Sequence, residues 1–164
     1  MDDTLNQVLR KLVYSRAVAA LGTVEKGEPF VSMVPYILHG ASADFLIHVS
    51  GLSAHTRQIL AQPRVSIMVT AAEDAVDENG AAIQPQGLPR VSVQGNAMRL
   101  DPVGADYASG KALYLERFAS AAQMFELPDF SLFKISPRSV RFIAGFGKAH
   151  SLSPEAWARV VGLA

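Results

Sequence analysis

The chain has 164 residues, 49% of them apolar and 18% charged, with fifteen basic side chains balancing fifteen acidic ones and no cysteine. That length suits one domain, the charge balance removes the broad positive field of a general nucleic-acid binder, and the missing thiols exclude disulfides, thiolate nucleophiles and cysteine-held metals. No apolar run approaches the roughly 20 residues that span a bilayer, and the opening "MDDTLNQVLRKL" is acidic and amphipathic, so the expectation is a cytoplasmic protein without membrane or nucleic-acid partners.

Residues 3–14 place Leu5, Val8 and Leu12 at helical spacing behind the acceptors Asp2, Asp3 and Thr4, which predicts a short amphipathic helix. From Ala17 the pattern turns to β. "AVAALGTVEKG", "EPFVSMVPYILHG" and "ADFLIHVS" read as three antiparallel strands, separated by turns at Lys26-Gly27-Glu28 and Gly40-Ala41-Ser42. Ser53 is a suitable N-cap for "AHTRQILA", a helix of about two turns that Pro63 ends before the strand "RVSIMVT". Residues 71–87 show no period and read as a solvated loop. "LPRVSVQGNAMRLDP" follows as a long strand, residues 102–119 as a helix with Tyr107, Tyr114 and Phe118 down one side, then "FSLFKISP" and "SVRFIAGFG" as two strands. Ser153-Pro154-Glu155 starts a terminal helix, because serine caps and proline suits the first turn. Six or seven strands, mostly hairpin-connected, with a few helices between them, predict a mainly β fold with flanking helices: a small antiparallel barrel spanning residues 1–164 as one domain.

The polar chemistry concentrates in "SGLSAHTRQILAQPRVSIMV", residues 50–69. The free N–H groups at a helix start, together with Ser53, His55, Thr56 and Arg57, could receive an anion such as a phosphate; the plainer reading is a capped helix with solvated side chains. His39 and His48 read as hydrogen-bonded structural histidines with axial haem ligation as the alternative, and His150 follows a glycine turn at Gly145-Phe146-Gly147-Lys148. Asp74, Asp77 and Glu78 lack the spacing of a calcium loop, no metal triad stands out, and Trp157 reads as a packing anchor.

In order along the chain come Gly27-Glu28-Pro29, the strand from Phe45 to Ser50, a Ser-initiated helix, Gln62-Pro63-Arg64, and Arg90-Val91 followed by Gly95. This succession resembles the pyridoxamine 5′-phosphate oxidase-like, FMN-binding split-barrel superfamily over residues 5–150. Ser50-Gly51-Leu52-Ser53-Ala54-His55-Thr56 and Gly145-Phe146-Gly147-Lys148-Ala149 resemble two motifs of its haem-utilisation branch. The resemblance implies a homodimer with FMN, or alternatively haem, at the subunit interface. Carried over by position, the binding residues would be Ser32, Met33, Val34, Pro35 and Tyr36 on one strand and His48, Val49 and Ser50 on another. Ser53, His55, Thr56 and Arg57 at the helix start, with Arg90 and Lys148, complete the set. Where the oxidases carry an arginine on the strand and an Arg-Lys pair on the helix, this chain has Ser32 and Ala54-His55. The implied activity is flavin-dependent redox chemistry on an unnamed small molecule. Haem binding or breakdown, and a cofactor-free dimeric module, are its rivals.

Overall fold

In β1 (Val18–Glu25), Ala19, Leu21 and Thr23 alternate inward against neighbours that face out, the period of a half-buried strand. Lys26 and Gly27 both adopt positive φ, the geometry of a two-residue hairpin turn, and return the chain as β2 (Glu28–Pro35) along β1. The computed structural model describes residues 1–162, and this hairpin forms one end of its sheet. After Tyr36 the chain leaves β1 and enters β3 (Ile37–His39), which pairs with β4 (Asp44–Ser50). Sequence periodicity joins these two pieces; the structure separates them because Pro35 lacks an amide proton and Tyr36 is drawn into the core.

The eight strands run β2-β1-β5-β6-β7-β4-β3, with β8 (Lys148–Leu152) added on β7, all antiparallel. β5 is Arg64–Thr70, β6 is Arg90–Arg99 and β7 is Phe130–Gly145. The curved sheet brings β2 against β4 and so approaches closure. Eight strands among the described residues replace the six or seven expected. Two expected strands fuse into β7 because Pro137 sits at a register shift opposite Gln94 and Gly95, where a missing ladder donor is tolerated. Gly95 is required there: a Cβ on it would lie 2.7 Å from the Ser136 carbonyl oxygen. β8 is the strand that periodicity did not show.

α1 (Asp3–Ser15) begins at Asp2, whose carboxylate accepts the Leu5 amide at 2.9 Å, and α4 (Pro154–Val161) begins at Ser153. Both helices cover the main core, where Trp157 stacks on Phe45 and donates its indole N–H to the Ala43 carbonyl at 3.0 Å. α2 (Ala54–Ala61) packs on β1 and β2. A smaller core lies on the other face of β4, where α3 (Ala105–Arg117) and a 3-10 segment (Ala119–Glu126) cover Leu46, Leu132 and Tyr114.

Candidate functional site

The loop from β4 into α2 is pinned by a residue that sequence reasoning missed. Asp129 accepts the Ser50 hydroxyl at 2.6 Å through its carboxylate and the Gly51 amide through its backbone carbonyl, also at 2.6 Å. The Thr56 hydroxyl donates to the Ser50 carbonyl at 2.7 Å and closes the loop from the helix side. Ser50 and Thr56 are thereby committed to holding α2 in place. Two residues on, Gln58 is buried and accepts the Thr23 hydroxyl at 2.5 Å, which fixes the helix face that meets β1.

His55 lies three residues before Gln58 and therefore shares that face. Ser32 pairs with the inward residue Leu21 on β1 and so points to the same side of the sheet as Thr23. The His55 Nε2 and Ser32 Oγ atoms are both buried, and neither has a hydrogen-bond partner. Ser53 occupies the N-cap position as expected, yet its side chain accepts no amide, so the first N–H groups of α2 stay unspent as well. Burial pushes the His55 imidazole below its ordinary pKa, which leaves it neutral with a free nitrogen at pH 7. Arg57 extends outward, 65% exposed, toward Glu25 at 3.8 Å.

The remaining residues implied by resemblance are dispersed. Val34 and Val49 belong to the main core, whereas Met33 and Pro35 are exposed. The Tyr36 hydroxyl donates to the Val13 carbonyl at 2.7 Å, and burial raises its pKa. His48 faces away from α2 and stacks on Phe125 with ring centroids 3.7 Å apart, beside Tyr114 and Phe130. Desolvation, with a smaller contribution from Lys111, lowers its pKa to about 4. His39 Nε2 pairs with the Ser109 hydroxyl at 3.0 Å. Arg90 donates to the Gln86 and Leu88 carbonyls, which secures residues 85–89 against β6. Lys148 is exposed in the β7–β8 hairpin near Asp2 and Thr4, and His150 lies beyond it on β8. Among the described residues no cluster of three metal-ligating side chains occurs, and no helix is long and apolar enough to cross a membrane.

A second feature lies on the outer face of the sheet. A groove of about 560 Å³ runs over Gly22, Ser66 and Gln94, with Val24, Pro29 and Val31 as its apolar wall. Arg64 and Arg138 line it, and no carboxylate does.

An antiparallel split barrel with a short helix starting beside strand β2 is the fold shared with pyridoxamine 5′-phosphate oxidase-like proteins. The chain belongs to the CREG β-barrel family, whose pattern matches residues 3–159. It is 25% identical over 151 residues to the haem oxygenase HutZ of Vibrio cholerae, covering 91% of this chain and 81% of that one. The structure superimposes on a haem-binding protein from Mycobacterium smegmatis with a TM-score of 0.83 and 27% identity, over 97% of this chain but only 62% of the other. A Listeria innocua protein named for pyridoxamine 5′-phosphate oxidase shares the fold at a TM-score of 0.64 and 14% identity, covering 86% of this chain and 99% of that one.

Proposed function

We propose that this protein binds haem where β2 meets the start of α2, as part of haem storage or breakdown. The observation that carries the reading is the pair of buried, unpartnered atoms, His55 Nε2 and Ser32 Oγ, on one face of two packed elements. His55 meets the bound group through Nε2, while Ser32, Ser53 and the free amides of α2 offer donors to its anionic periphery. Haem, once bound, would supply the iron for oxygen chemistry; the chain's part is to hold it and to keep a neutral imidazole beside it.

In this reading the charge of the lining favours haem over FMN. A flavin phosphate calls for cations, yet the residues facing inward are a neutral imidazole and two hydroxyls, and Arg57 is turned outward toward Glu25. A neutral imidazole with a free nitrogen is the protonation state that meets iron. The names of the haem-related relatives support the same choice.

The proposal includes a homodimer. β2 is an edge strand whose outer face exposes Val31 (67%) and Met33 (64%), level with Met68 on β5, and an apolar edge of this kind calls for cover. A second copy laid on that face would shield it together with the groove over Gly22 and Ser66. Light scattering on wild type and Met33→Glu tests this: the account expects a dimer and a monomer respectively, and a monomeric wild type removes it.

Haem titration followed at the Soret band tests the site. Saturable binding that weakens at least tenfold in His55→Ala supports it; no Soret change, or one indifferent to that substitution, defeats it. Quenching of FMN fluorescence at micromolar concentration, without a haem response, would return the site to flavin.

A further inference from the structure

Unspent polar atoms also occur at a distant corner, where α1, β8 and α4 meet. β8 is a free edge of the sheet, and His150 pairs with the fully buried Phe142, so His150 and Leu152 face the helices that cover the main core. Those helices are tied together by the Tyr14 hydroxyl, which donates to the Val161 carbonyl at 2.6 Å, and by Arg10, which donates to the Val160 carbonyl at 3.2 Å. Between them and β8 remains a cavity of about 650 Å³, with Asn6, His150, Ser151, Leu152, Ala156 and Arg159 in its lining.

The Asn6 Oδ1 and His150 Nε2 atoms are buried and unpartnered, and both residues line this one cavity although they stand far apart in sequence. Buried polar groups are ordinarily satisfied, so two such atoms on one cavity call for a polar occupant. Arg159 is the charged side chain of the lining, and its carboxylate neighbour, Glu155 one turn back on α4, lies outside that lining. Ser151, between His150 and Leu152, turns its hydroxyl to the other face of β8, where it accepts Arg141 Nη1 at 2.8 Å, and so borders the cavity with its backbone. Leu152, Ala156 and Val160 form the apolar wall. An adjoining cavity of about 510 Å³ shares Ala149 and His150 and opens toward Asp2 and Lys148. Asp2 and Lys148 carry opposite charges at that end, so the negative group is assigned to Arg159 instead.

We propose that this corner binds a small hydroxycarboxylate. Its carboxylate accepts from the Arg159 guanidinium and from His150 Nε2–H, and its hydroxyl meets Asn6. A hydroxyl both donates and accepts, so it satisfies the Asn6 amide in either orientation. The short carbon skeleton lies along Leu152, Ala156 and Val160.

The test is NMR of the intact protein with ¹⁵N-labelled histidine, titrated with L-malate and L-lactate and with their deoxy counterparts succinate and propionate. The proposal expects a saturable shift of the His150 ring nitrogens with at least one hydroxyacid, at least fivefold weaker binding of its deoxy counterpart, and at least tenfold weaker binding in Arg159→Ala. Asn6→Leu should erase the preference for the hydroxyl while the amide spectrum reports an intact fold. Should that variant fail to fold, Arg159→Ala, at an exposed position, carries the test. No saturable shift with either hydroxyacid at about 10 mM, enough to nearly saturate a millimolar site, overturns the proposal. Equal binding of acid and deoxy acid, or binding indifferent to Arg159→Ala, also overturns it. Haem titration should be unchanged in Arg159→Ala, so this site and the one at α2 fail separately.

Discussion

His48 and His55 are seven residues apart, the first buried and the second half-buried, and in both burial lowers the imidazole pKa. They differ in what surrounds the ring. His48 is 7% exposed, lies flat on Phe125 and is closed in by Tyr114 and Phe130. His55 has a buried nitrogen that nothing meets. Burial alone therefore does not mark a binding residue. A packed ring contributes to stability, and an unpartnered nitrogen is available to a ligand.

The contrast can be broken by substitution. The largest effect belongs to His48→Ala, which removes a ring from the smaller core and should cost about 3 kcal/mol in denaturant unfolding, by analogy with other buried aromatic truncations, while leaving the haem affinity of the folded protein within twofold. A change in affinity without a loss of stability would exchange the roles of the two histidines.

Acid should act through His48 as well. Its folded pKa of about 4 lies below the ordinary 6.5, so the unfolded chain binds more protons between those values and stability falls as pH drops through that window. The shift sets an upper bound of about 3 kcal/mol, which is present above pH 6.5 and lost by pH 4. Unfolding curves at pH 7 and 4.5 should show the loss in wild type and a smaller one in His48→Phe, which keeps a ring and removes the titration. An equal loss in both would assign acid sensitivity elsewhere.

Thr56→Val comes next: it removes the bond to the Ser50 carbonyl and should lower stability by about 1 kcal/mol, loosening the start of α2. Ser32→Ala should have the smallest effect on the fold, within about 0.5 kcal/mol, because its buried hydroxyl has no partner to lose. Its haem affinity should fall two- to fivefold. A large destabilisation would mean that Ser32 is already satisfied within the barrel.

Much of this architecture was legible in the sequence. Asp2, Ser53 and Ser153 read as caps and stand at helix starts, Lys26-Gly27 reads as a turn and makes one, and the order of segments points to the split barrel. What escaped depends on long-range pairing. Pro137 looks like a strand end until β7 bulges beside it, opposite Gln94 and Gly95, and β8 is too short and polar to show a period before β7 pairs with it. The site divided along the same line. Ser53 and His55 read as part of a helix start and stand in one, but only the packed structure shows that Ser50 and Thr56 are already bonded there and that His48, Arg90 and Lys148 point elsewhere. Asp129, which anchors the loop, gave no sequence signal beyond lying just before a strand.

The most direct measurement is a parallel haem titration of wild type, His55→Ala and His48→Phe, read at the Soret band with the folded fraction checked by circular dichroism. The account expects tight binding in wild type and in His48→Phe, and at least tenfold weaker binding in His55→Ala. Equal binding in wild type and His55→Ala, or a loss confined to folded His48→Phe, would contradict the claim that the unpartnered nitrogen on α2 is where this protein meets its ligand.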